Sequence, residues 1–150
     1  MSRQEDIYLD EKIEFRNYLP AKISPPDREA EMYNLVRHTE PAPGASRTVR
    51  FDGDEHGSEV SFFLVDNEPG QGPALHVHPY TETWIVRAGE AEFMVGRDRM
   101  RAGPGDIVVG GAGVPHKFRN VGTGRLQLVC IHASARIIQE WVEEHDQPTA

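Results

Sequence analysis

The chain has 150 residues, 38% of them hydrophobic, and a formal net charge of −8. That length and apolar content predict one domain with a core of its own, and an acidic balance with no basic stripe argues against a nucleic-acid partner. Cys130 is the only cysteine, which excludes an internal disulfide, and the sequence shows neither a signal-like apolar start nor an apolar run long enough to span a membrane; the expectation is a cytoplasmic protein without membrane contact.

Residues 1–47 read as an irregular N-terminal arm, polar and proline-rich (Pro20, Pro25, Pro26, Pro41, Pro43) with no sustained period. Asp27 could cap a short helix over 28–35. Asp6-Ile7-Tyr8-Leu9 and Ile13-Glu14-Phe15 alternate like strands and could pair with a second copy of the chain, so a homodimer is expected.

Residues 48–150 read as the folded domain. From about 48 to 132, short runs of strand-forming residues are separated by Gly, Pro, Asn and Asp. They include Thr48–Phe51, Glu59–Val65, Thr83–Arg87, Glu90–Val95, Asp106–Val109, His116–Asn120 and Arg125–His132. Many short strands at even spacing predict an all-β sandwich or barrel. Trp84, Phe93 and Met94 are candidate core residues, although alternation forbids Phe93 and Met94 from both pointing inward. Cys130, among Leu128, Val129 and Ile131, reads as a small buried hydrophobe. Ser134 could cap a C-terminal helix in which Ile137, Ile138, Trp141 and Val142 recur at helical spacing, ended by His145-Asp146-Gln147-Pro148.

The chemistry concentrates in His76-Val77-His78-Pro79-Tyr80-Thr81-Glu82, answered downstream by His116. Histidines at i and i+2 share one face of a strand. Pro79 breaks that strand, so Glu82 can be re-aimed at the same point. Three imidazoles and a carboxylate form a donor set for a borderline divalent metal, so His76, His78, Glu82 and His116 are the candidate ligands. Phe118 and Asn120 would share the face of His116 if that strand is regular. His132 reads more simply as a packing or surface histidine than as a group behind the site, and His38 and His56 lie outside the motifs.

These spacings resemble the two motifs of the cupin superfamily. Gly70, His76, His78, Glu82 and Gly89 stand with five, one, three and six residues between them, and Gly105, Gly113, His116 and Asn120 fit the second motif. Gly111 replaces the proline usual there, a change in a turn and not in a ligand. The resemblance covers about residues 46–140. It implies a double-stranded β-helix (jelly-roll) barrel, here a small single-barrel member. It also implies a metal centre and a small-molecule ligand or substrate.

The identity of the metal stays open among Fe, Mn, Ni, Zn, Co and Cu, since imidazole and carboxylate together admit all of them. No thiolate joins the motif, which weakens a purely structural zinc. The leading expectation is a metal-dependent, dioxygenase-like enzyme acting on a small organic molecule, with Glu82 able to leave the metal and serve as a base. Isomerase or decarboxylase chemistry, a sensing barrel without turnover, and a structural metal domain are the alternatives.

Overall fold

The computed structural model describes residues 33–143. Ten strands and one 3-10 turn follow in order: β1 (Val49–Phe51), the turn Gly53–Glu55, β2 (Ser61–Asn67), β3 (His76–Val77), β4 (Glu82–Ala88), β5 (Ala91–Val95), β6 (Asp98–Ala102), β7 (Ile107–Gly110), β8 (His116–Asn120), β9 (Leu126–His132) and β10 (Glu140–Trp141). They form two five-stranded sheets, ordered β1-β2-β9-β4-β7 and β10-β3-β8-β5-β6. Every pairing is antiparallel. The fold is the expected all-β jelly roll. Of the helix expected over 28–35, residues 33–35 have no regular structure and the rest lies outside the described residues, as do the strand-like segments near the N-terminus.

Alternation builds the core. Along β9, Leu126, Leu128, Cys130 and His132 are buried while the residues between them are not, and Glu82, Trp84 and Val86 do the same along β4. Phe93 is fully buried and its neighbour Met94 is not, as a pleated strand requires. Trp84, Phe93 and Phe118 pack together between the sheets, with Trp84 and Phe93 centroids 5.4 Å apart. Two glycines permit this closeness. A Cβ on Gly110 would lie 2.7 Å from the Trp84 ring, and one on Gly89, at φ +81°, would lie 2.5 Å from the Arg125 carbonyl oxygen.

The outer face of the first sheet is also apolar. Pairing places Val49, Leu64, Val129, Ile85 and Ile107 in one row across all five strands, and Phe51, Phe62, Ile131, Thr83 and Val109 in the next. Ile107 and Val109, on the edge strand β7, are 62% and 61% exposed.

The C-terminal helix is not formed. Residues 134–139 lack regular structure, and β10 then pairs with β3, Glu140 opposite Val77 and Trp141 opposite His76. The reason is competition for backbone groups. Ile137 N–H donates to Asp52 Oδ1, Ile138 N–H donates to the Tyr80 hydroxyl, and the Ile138 carbonyl accepts from His78 Nδ1. A helix capped by Ser134 would need the Ile138 N–H and carbonyl for its own ladder. The apolar stripe therefore divides: Ile137 and Trp141 line the cavity described below, Trp141 with much of its surface exposed, while Ile138 is turned partly to solvent. The expected stop at 145–148 lies outside the described residues.

Candidate metal centre

The two sheets deliver the site as two cross-strand pairs. His76 on β3 stands opposite His116 on β8, and Glu82 on β4 stands opposite His132 on β9. His78 follows β3 directly, its carbonyl accepting Gly113 N–H at 2.8 Å. One donor atom from each of His76, His78, Glu82 and His116 lies within 4.8 Å of the others, and all four residues are buried. The structure thus gathers the four candidate ligands into a cluster that could hold a metal ion.

The far side of each ring decides what its near side can do. His76 Nδ1 lies 2.7 Å from the Ala74 carbonyl oxygen, His78 Nδ1 2.6 Å from that of Ile138, and His116 Nδ1 2.9 Å from that of Val114. A carbonyl oxygen only accepts, so each Nδ1 carries the proton and donates it. A neutral ring then turns a bare Nε2 lone pair inward, the arrangement that metal-ligating histidines adopt. His78 Nε2 and His116 Nε2 lie 3.0 and 2.9 Å from the same oxygen, Glu82 Oε2. Lone pairs facing a carboxylate repel. A cation between them resolves the conflict, and buried His78 Nε2 has no hydrogen-bond partner in its absence. The donor set therefore fits a divalent ion.

Charge follows the same logic. Burial alone would push the Glu82 carboxyl up, but in the metal-free protein the imidazoles of His116, His132 and His78, each carrying a proton towards it, hold it well below the usual carboxylate range; a bound cation would take the place of those protons. Glu82 is an anion at neutral pH. Burial pushes the His76 imidazole down from 6.5 to about 4; the Ala74 carbonyl opposes this, and His116 and His78 add to it. A buried, neutral His76 is ready to ligate but makes the metal-free protein acid-sensitive. Its folded-state proton affinity lies below the unfolded one, so the unfolded chain takes up the proton first as pH falls. Stability should then decline from pH 6.5 towards about 4, by roughly 3 kcal/mol for this group. Denaturant melts in chelator at pH 7 and 4.5 would show it; equal midpoints would refute it.

Two residues that the sequence reading left outside the ligand set also adjoin the cluster. His132 is 1% exposed and not on the surface, with Nε2 3.3 Å from Glu82 Oε1. Its place in the alternation Leu126, Leu128, Cys130, His132 was the available signal. Tyr80 stacks on His78, and its hydroxyl lies 3.2 Å from His132 Nδ1; nothing in the strand pattern marks it. Phe118 is a core residue that also lines the cavity. Asn120 is structural: its amide donates to the carbonyls of Asn67 and Gly124 and accepts from Gly122 N–H. Cys130 is buried, and burial pushes its thiol well up. His38 pairs with Glu40 on the surface and His56 stacks on Phe51, both away from the centre.

A cavity of about 800 Å³ opens onto the centre. His76, Glu82 and His132 line it, together with the apolar side chains of Phe63, Val65, Phe118 and Ile137 and the polar groups of Thr48, Asn67, Gln71 and Gln139.

Residues 63–132 match the cupin domain family, and with the double-stranded β-helix fold this places the chain in the cupin superfamily. Over 61 residues it is 42% identical to the dimethylsulfoniopropionate lyase DddQ of Ruegeria pomeroyi, a match covering 40% of this chain and 30% of the lyase. The chain thus spans under a third of that relative's length. A double-stranded β-helix protein of Klebsiella pneumoniae superposes with a TM-score of 0.56 at 25% identity, over 70% of this chain and 90% of that one. The oxalate decarboxylase of Bacillus subtilis, a protein with Mn(II) centres, gives 0.59 at 20% identity, over 63% of this chain and 27% of that one; this likeness shows the fold. Among the described residues no helix is long and apolar enough to cross a membrane.

Proposed function

We propose that this cupin is a metal-dependent enzyme acting on a small organic molecule, with His76, His78, Glu82 and His116 as the metal ligands. The observation that supports this most is the set of three imidazoles anchored through Nδ1 to carbonyls, clustered with one carboxylate that two of them approach within 3.0 Å, beside a cavity. A bound divalent ion would supply Lewis acidity to a substrate oxygen, or a route to dioxygen if it is redox-active. The residues do the rest. The Phe63, Val65 and Phe118 wall excludes water from one side of a ligand, and the Thr48, Asn67 and Gln71 groups hydrogen-bond its polar end. Glu82 serves first as the charged ligand; acting as a base would require it to leave the imidazoles that hold its proton affinity down.

Dioxygenase-like chemistry is the reaction to test first, with lyase or decarboxylase chemistry second, the lyase reading favoured by the resemblance to the Ruegeria lyase. Protein loaded separately with Fe(II), Mn(II), Co(II), Ni(II), Cu(II) and Zn(II) is incubated with a panel of small carboxylates, diketones and sulfonium compounds. Oxygen uptake and product formation are followed. Metal-dependent turnover is expected; a compound that binds tightly at the cavity and is never converted would favour a sensing barrel.

Two copies are proposed to pair through the apolar outer face of the first sheet, since an isologous contact there would cover both rows at once. Light scattering at micromolar concentration should give twice the chain mass, and a monomer would exclude it.

A further inference from the structure

The hydrogen bonds around Ile138 assign opposite roles to two neighbouring histidines. The Ile138 carbonyl accepts His78 Nδ1–H at 2.6 Å, and its N–H donates to the Tyr80 hydroxyl oxygen at 2.9 Å. Tyr80 has one proton to give, with His132 Nδ1 and the Ile138 carbonyl each 3.2 Å away. The carbonyl is already served by His78. His132 Nδ1 has only Tyr80. If that nitrogen held the proton instead, His132 Nε2 would turn a lone pair towards the charged Glu82 Oε1 at 3.3 Å, a repulsion with nothing to offset it in a buried site. Tyr80 therefore donates to Nδ1, and His132 carries its proton on Nε2. His132 is then a donor, unlike the three rings anchored to carbonyls, and it lies outside the four-residue cluster.

We propose that Tyr80 and His132 form a positioning arm for Glu82. The arm sets the His132 Nε2–H 3.3 Å from Oε1, where no other partner reaches it, and leaves Oε2, which faces His78 and His116 at 3.0 and 2.9 Å, as the oxygen offered to a metal. Held this way, the carboxylate cannot chelate through both oxygens, and coordination positions on the cavity side stay open to a substrate. Ile138 links the arm to the ligand set, because the same residue fixes the proton position on His78 and, through Tyr80, on His132. The segment after β9 is irregular for this reason. Removing a hydrogen-bond partner of a metal ligand ordinarily weakens metal binding by about 10–100-fold.

This inference rests on the metal reading above, and cobalt(II) titrated into metal-free full-length protein separates the two. Calorimetry gives the affinity, the visible d–d bands report coordination number, and infrared difference spectra report the separation of the carboxylate stretches. Wild-type protein that binds no cobalt would remove the metal reading itself. If it binds, His132→Ala should weaken binding about 10–100-fold and move both the d–d bands and the carboxylate stretches towards two-oxygen coordination. His132→Gln, whose side-chain N–H reaches the same region, should restore most of both. Tyr80→Phe should reproduce part of the spectral change, because His132 loses the donor that fixes its proton. If His132→Ala does not fold, the Gln and Phe variants carry the same comparison. Unchanged affinity and unchanged spectra in every folded variant would overturn the arm.

Discussion

His78→Ala is expected to strip metal from the protein as isolated from unsupplemented cells, lowering bound metal at least tenfold relative to wild type. The magnitude follows from where the ring sits. Its side chain is fully buried, its Nδ1 is anchored at 2.6 Å to Ile138, and its Nε2 approaches Glu82 without a hydrogen-bond partner. No other described side chain is placed to replace it, since His132 faces the opposite carboxylate oxygen. Elemental analysis of both proteins, purified side by side, gives the answer. Equal metal content would defeat the ligand assignment. The alanine also frees the Ile138 carbonyl, so a circular dichroism melt must accompany the measurement. A folded, metal-poor variant is the expected result.

The same residues show what the sequence could and could not disclose. His76, His78, Glu82 and His116 were legible because their spacing is a property of the chain itself: period two on a strand, a proline break, and a second motif downstream that carries His116. The core was legible for the same reason: alternation excluded Phe93 and Met94 from both facing inward, and the structure buries Phe93. The C-terminal helix was misread because Ile137, Ile138, Trp141 and Val142 do satisfy a helical period. What decides against it is long-range: the two-residue strand β3 has an open edge that β10 covers, and the Ile138 backbone is claimed by side chains about sixty positions earlier. Local pattern carries no record of such competition. His132 was undervalued for a different reason. Its inward parity was visible, but that Glu82 would face it depended on the pairing of β4 with β9, a register the sequence does not print.

Trp84→Ala should cost about 3–5 kcal/mol of folding stability, a large share of the 5–15 kcal/mol typical of a domain. Trp84 is 1% exposed, sits 5.4 Å from Phe93, and meets the His116 ring edge-on at 4.9 Å. Its indole is thus shared by the core and the candidate metal centre. Gly110 lies so close beneath the ring that no rearrangement of that strand can fill the void with a side chain. Trp84→Phe is the informative companion. Trp84 Nε1 is buried without a partner, so losing it forfeits no hydrogen bond, and the smaller ring should limit the cost to about 1–2 kcal/mol. The two variants differ at the centre as well. His116 keeps its Nδ1 anchor on Val114 in both, but only phenylalanine still packs against the ring, so cobalt affinity should stay near wild type in Trp84→Phe and fall in Trp84→Ala. Urea melts of the metal-free proteins, paired with cobalt titrations, read both effects. A loss below about 1 kcal/mol in Trp84→Ala would mean that the core tolerates the cavity, and that Trp84 does not brace the histidine it touches.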